Sequence, residues 1–237
     1  MKTISKLALF LFLAISIISC EFSGIAGDGN VTTENRKANG KFNKIKAGNG
    51  LNIFLSQNEK TTIRVEADSN LQDLIKTEVE NGVLRIYTDK NIGKASAKKV
   101  YISLPYLEML AVSSGANLVS KNSFTTTDFE LNISSGASAT IAIIGKKIHS
   151  SVSSGASLVL SGTTETFNAS ASSGANINSF KLQAANAKVS ASSGASIDVT
   201  TTNTLDATAS SGANIEYKGN PKHKTISKSS GGSVSKK

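Results

Sequence analysis

Phe167-Asn168-Ala169-Ser170-Ala171-Ser172-Ser173-Gly174-Ala175-Asn176-Ile177-Asn178 is the stretch on which the fold turns. Phe167, Ala169 and Ala171 alternate with Asn168 and Ser170, which is the period of a half-buried strand and not of a helix. Ser172-Ser173-Gly174 then breaks the alternation, and Ile177 begins a second strand. The same block recurs around Gly115, Gly136, Gly155, Gly174, Gly194 and Gly212, in steps of 21, 19, 19, 20 and 18 residues. A degraded copy, Ser229-Ser230-Gly231-Gly232, follows 19 residues later. A fixed period near 20 marks a solenoid, in which each repeat is one coil stacked on the last.

Counted from each glycine, positions −7, −5 and −3 form apolar columns, such as Phe129/Leu131/Ile133 and Leu205/Ala207/Ala209. In the copies from Gly136 to Gly212 the pattern breaks once, at Ser150. Position +3 is Leu118, Ala139, Leu158, Ile177, Ile197 and Ile215. Each coil therefore reads as strand, tight turn, strand and a looser polar return such as Ser161–Thr164 or Thr200–Asn203. Glycine at the corner supplies positive φ or close backbone packing without a Cβ clash. The alanine after it suits a thin core, and the +2 column (Asn117, Ser138, Ser157, Asn176, Ser196, Asn214) is expected to form a hydrogen-bonded ladder. At roughly 4.8 Å per coil, six coils make a rod about 29 Å long. A disordered Ser/Gly linker is the competing reading, but linkers do not keep apolar columns in phase through so many copies.

The expected fold class is all-β: a parallel β-helix-like solenoid of two sheets, with about 20 residues per coil. Residues 111–217 carry the repeat, and residues 41–110 form an irregular β half. In that half, Gly48-Asn49-Gly50 looks like a diverged corner and Asn81-Gly82 signals a hairpin. Ser69 to Ile75 reads as one short helix, with Ser69 as N-cap and Gln72 as its capping-box partner. Residues 218–237 form a basic cap or tail with six lysines (218, 222, 224, 228, 236, 237) and no acid. Lys224 and Lys228 fall in its inward columns, where charge blocks the addition of another coil.

Lys2 and Lys6 precede an apolar run, Leu7 to Ile18, too short to span a bilayer comfortably. Cys20, the only cysteine, follows directly after Ser19. This arrangement resembles a bacterial lipoprotein lipobox, which makes residues 1–19 a signal peptide, Cys20 the lipidation site and residues 20–40 a flexible tether. An ordinary secretory signal and an uncleaved anchor are the alternatives. The expected location is the cell envelope, anchored by lipid to a membrane, most naturally the outer one, with the face undetermined.

The net charge of +9 does not signal nucleic-acid binding, because residues 111–217 hold five lysines against six acids and the tail accounts for six positive charges. No catalytic constellation stands out. His149 and His223 are the only histidines, and the recurrence of serine at every corner is what packing requires. No metal-ligand spacing and no cofactor motif is present. Asp128, Glu130, Glu165, Asp198, Asp206 and Glu216 read as scattered. The threonine runs fall in returns of changing length, unlike an ice-binding array.

From about Phe42 to Tyr217 the chain resembles the head GIN domain family of putative auto-transporter adhesins, cell-envelope proteins common in Bacteroidetes. The resemblance is carried by Phe42–Ala47, Leu51–Ser56, the Asn70–Thr77 segment leading to Val83–Tyr87, and the glycine corners. Ser-Ser-Gly stands here where relatives often have Gly-Ser-Gly. The resemblance implies a right-handed superhelix of two sheets, similar in shape to pectin-lyase folds but without catalytic residues, and a proposed role in adhesion. The leading expectation is a non-enzymatic, lipid-anchored solenoid presenting a repetitive Ser/Asn/Thr surface to a glycan or a surface protein. An envelope protein that stacks or forms homo-oligomers without a specific ligand is the second reading, and a solenoid carbohydrate-active enzyme the third.

Overall fold

The structure is a computed structural model and describes residues 24–237; residues 1–19, expected to be a signal peptide, and Cys20 lie outside the described residues. Its strands are β1 (Val31–Arg36), β2 (Lys44–Ala47), β3 (Asn52–Gln57), β4 (Thr62–Asp68), β5 (Ile75–Glu80), β6 (Val83–Thr88), β7 (Lys98–Leu104), β8 (Met109–Val112) and β9 (Asn117–Ser120). They continue as β10 (Phe124–Ile133), β11 (Ser138–Val152), β12 (Ser157–Ala171), β13 (Asn176–Ala191), β14 (Ser196–Ala209), β15 (Asn214–Lys218), β16 (His223–Lys228) and β17 (Ser233–Lys236). From β8 onward each strand pairs in parallel with the strand one coil later, giving a β-solenoid of about seven turns.

One tight corner defines each coil. Ser173 (φ 52°) and Gly174 (φ 69°) both lie in the left-handed region, and Ala175 N–H closes the turn on Ser172 C=O at 3.1 Å. Two successive positive φ values are the mark of a type I′ turn. A Cβ built on Gly174 would meet nothing within 4 Å, so conformation and not crowding selects glycine there. The corner also stacks. Gly174 N–H donates to Ser193 C=O, and the same bond links every corner from Gly50–Ser114 to Gly212–Ser230. We expect Gly155→Ala to cost about 1–2 kcal/mol, the penalty of a left-handed L-residue, read as a lower urea midpoint. An unchanged midpoint would mean that the corner relaxes freely.

The opposite bend is not a loop. Ser161–Thr164 lies within β12 and Thr200–Asn203 within β14, so the strands cross the bend unbroken and all 17 belong to one continuous hydrogen-bonded sheet. The sequence-based expectation of a polar return is corrected here, because inward threonines satisfy the bend. Thr164 Oγ1 donates toward Lys146 C=O (3.0 Å) and Thr166 C=O (3.1 Å). Thr126 and Thr201 are buried and bond in the same way. Gly145 and Ala184 separate them along one register column, Thr126–Gly145–Thr164–Ala184–Thr201. The longer coil between Gly174 and Gly194 is absorbed by a register shift that pushes Phe180 outward.

Between bend and corner lies a thin core. Ala116, Ala137, Ala156, Ala175, Ala195 and Ala213 are all buried beside the corner, while Phe124, Phe129 and Phe167 fill the wider side. Ser150 keeps its inward place and its hydroxyl has no partner. The +2 ladder forms in part, through Ser138 Oγ to Asn117 Oδ1 (2.8 Å) and Asn176 Nδ2 to Ser196 Oγ (2.7 Å).

The N-terminal end departs from sequence order. β2 lies between β6 and β8, and β3 between β7 and β9, so the later coil β6/β7 is stacked outside the earlier coil β2/β3. β5 then pairs antiparallel with β6 through the Asn81-Gly82 hairpin, β4 adds antiparallel to β7, and β1 adds antiparallel to β4. The corner Asn49-Gly50 has positive φ at both residues and joins the corner ladder. Arg64, Tyr101, Phe54 and Lys121 stack along the outer face of this end. The guanidinium lies 4.0 Å from the Tyr101 ring, the two rings 4.9 Å apart, and Lys121 Nζ 4.3 Å from Phe54.

Two expectations fail at this end. The expected short helix forms as a 3-10 helix over Ser69–Leu74, but its capping box does not: the N-cap is Asp68, without a side-chain cap bond. Gln72 instead donates to Thr32 C=O (2.9 Å) and its hydroxyl, because β1 covers it. The tether assigned to residues 20–40 is not free over its described part. Val31–Arg36 is a strand, Ile25 bridges Ile92, and Ser69 and Asn70 bond the backbone of residues 26–30.

Asp68 holds this cap together. Its side chain is fully buried, and it accepts N–H bonds from Ala97 (2.8 Å), Ser96 (3.2 Å) and Gly29 (3.0 Å). Burial alone would raise its pKa, but those backbone donors outweigh it and hold the carboxyl below its usual value. Its contribution is therefore complete above the ordinary aspartate pKa of about 3.9 and is lost as pH falls through the lower folded value. We expect acid to open residues 24–36 to protease first. Asp68→Asn should remove this pH step. A wild-type acid profile in that variant would refute the assignment.

Candidate functional site

A groove of about 1210 Å³ runs across coils on the outer face of the sheet before the corners. Strand alternation builds it, since every second residue of β10–β14 points away from the core. Position −6 aligns Met109, Glu130, His149, Asn168, Lys188 and Asp206 in register, one per coil. Position −4 aligns Asn132, Ser151, Ser170, Ser190 and Thr208 beside it. Lys44, Tyr106 and Glu108 close the N-terminal end.

The side chains are arranged for hydrogen bonding. Asn132 Nδ2 donates to Glu130 Oε1 at 2.8 Å, Asn168 Nδ2 lies 3.3 Å from His149 Nδ1, and Lys188 faces Asp206 at 3.6 Å. The hydroxyl-bearing residues Ser151, Ser170, Ser190 and Thr208 are exposed. The result is a trench of hydroxyls and amides repeating at about the 4.8 Å strand spacing, with Lys147 and Lys188 along its length and carboxylates toward its ends. A smaller hollow of about 630 Å³ lies at the threonine bend, beside Tyr106 and Ile144.

The structure places all six predicted glycines, Gly115, Gly136, Gly155, Gly174, Gly194 and Gly212, at corners with positive φ. Cys20 lies outside the described residues. The acidic residues are less scattered than the sequence suggests, because Asp198 and Glu216 are register partners at position +4 of adjacent coils. Burial first, and then the Glu216 charge, raises the pKa of Asp198. Glu216 is paired with Lys237 at 3.2 Å, and this pair lines neither groove. Counting phase from the glycines would have found it. Glu130 and Asp206, which share position −6, are kept apart by the coils of His149, Asn168 and Lys188. Among the described residues no group of three or more His, Asp, Glu or Cys side chains is placed to hold a metal. No helix among them is long and apolar enough to cross a membrane.

The chain belongs to the head GIN domain family: residues 41–221 match the family described as "Putative auto-transporter adhesin, head GIN domain". Among solved structures it is similar to a putative adhesin from Bacteroides fragilis, with 24% identity and a TM-score of 0.85 over 90% of this chain and 100% of that one. A putative lipid binding protein from Parabacteroides distasonis is 22% identical, with a TM-score of 0.71 over 90% of this chain and 99% of that one. A putative adhesin from Parabacteroides merdae is 17% identical, with a TM-score of 0.70 over 91% and 100%. At such identities the likeness speaks to the fold. No curated protein matches the chain.

Proposed function

We propose that this head GIN protein is a non-enzymatic, lipid-anchored adhesin of the cell envelope whose groove receives an extended glycan. The observation that carries the reading is the pair of columns Glu130–Asp206 and Asn132–Thr208, which offer donors and acceptors at a repeated spacing along one open trench. A polymer of sugar rings presents hydroxyls at regular intervals, so successive coils can bond successive rings. A lipid chain would need an apolar channel. Here the interior is filled by Phe124, Phe129, Phe167 and the alanine columns, and the groove is lined mainly by polar side chains. Stacking without a ligand fits less well, because Lys224 and Lys228 stand in the inward columns of the last coil.

The test is a screen of the mature chain against immobilised glycans, alongside Ser170→Trp, which fills the centre of the groove. Ser170 is exposed, so the variant should keep wild-type stability. Binding that Ser170→Trp reduces at least tenfold is the expected result. Binding left intact by the variant would move the site elsewhere, and absence of any glycan hit would sink the adhesin reading in this form.

A further inference from the structure

We infer that the capped N-terminal end of the solenoid lies directly against the bilayer that holds the Cys20 acyl chains, with no intervening spacer. The inference rests on the proposed acylation of Cys20. From Cys20 to Gly24 there are only four residue steps, which span at most about 14 Å when fully extended. Gly24 onward is already part of the cap. Ile25 N–H donates to Asn91 C=O at 2.8 Å, Gly93 N–H to Ile25 C=O at 3.0 Å, and Gly27 N–H to Lys94 C=O at 2.8 Å.

Close packing leaves no slack at this point. A Cβ on Gly24 would come within 2.4 Å of Gly93 N, and one on Gly27 would collide with the Asp68 carboxylate. The segment is thus clamped between the loop after β6 and the buried Asp68. The anchor must then leave from the cap and not from a point along the rod. With about seven turns at about 4.8 Å each, the far end stands about 34 Å from the cap.

The cap carries surface that suits a lipid headgroup region. Ile25 and Val31 are exposed apolar side chains, 37% and 44% accessible, on the segment that leads back toward Cys20. Lys90 and Lys94 are exposed on the loop that clamps it. Small apolar contacts beside basic side chains add to the hold of acyl chains at a bilayer surface. The consequence is an orientation. The groove and the lysine-bearing last coil are presented outward by a rigid stem made of the fold itself.

The experiment uses the full-length chain, purified from membranes and reconstituted in vesicles of phosphatidylethanolamine and phosphatidylglycerol containing headgroup spin-labelled lipid. Val31→Cys and Ser227→Cys carry a thiol-reactive fluorophore at the cap and at the last coil. The chain without an added cysteine is the control, because acylated Cys20 has no free thiol to label. Quenching severalfold stronger at position 31 than at 227 supports the inference. Equal strong quenching at both sites would mean that the rod lies on its side, and weak quenching at both would mean a spacer. Either result overturns the inference while leaving acylation intact. Labelling of the control chain would sink the anchor reading itself, and the inference with it.

Discussion

Phe167→Ala should destabilise the solenoid by about 3–5 kcal/mol, the usual cost of emptying a fully buried aromatic site. Phe167 is 0% exposed and sits in β12, with β11 on one side and β13 on the other. Its column neighbours, Ile148 and Ala187, cannot close the gap, because each is fixed by its own ladder of backbone bonds. A solenoid is held by contacts between adjacent coils, so damage at a central coil weakens the interfaces on both sides. Urea unfolding followed by circular dichroism would show the loss. A change below about 1 kcal/mol would mean that the core repacks far more easily than close-packed interiors do.

Replacing Lys224 by leucine and Lys228 by alanine together should turn a discrete particle into one that self-associates. The two lysines are in register with Leu205 and Ala209, so the double variant copies the apolar column of the coil below. β16 and β17 are then an apolar, unpaired edge, already marked by Ile226 at 39% exposure. Edges of that kind recruit further strands, and inward charge is a common block against it. Lys224 is seated on the last coil, with Nζ 3.4 Å from Tyr217 Oη. Sedimentation of the double variant should show concentration-dependent growth. A species that stays the size of wild type would place the block elsewhere, for example in the neighbouring lysines.

The groove was half legible in the sequence. Glu130, Asn132, Asn168, Ser170, Lys188, Ser190, Asp206 and Thr208 are recognisable as outward residues by alternation alone. That they face one trench depends on the curvature of the sheet, which no period encodes. Phe180 shows the same limit. The 20-residue step says that one coil is longer, but only packing decides that the extra residue bulges at Phe180, where Lys218 and Lys237 lie 4.3 and 5.1 Å from its ring. Asp68 gives no sequence signal either. Its donors, Gly29, Ser96 and Ala97, come from two distant segments.

The repeated half follows from sequence alone, because its determinants are local and recur. Alternation sets which side faces inward, Ser-Gly sets the corner, and a period near 20 forces each coil onto the one before it. The capped half required tertiary structure. An alternating strand is satisfied by any neighbour that completes its ladder, so nothing in β2 or β6 announces that β6 stacks outside it, or that β1 returns to cover β4. Those pairings are chosen by which closed arrangement buries Ile45, Leu84 and Val65 and leaves the end of the rod covered, a property of the assembled end and of no single segment.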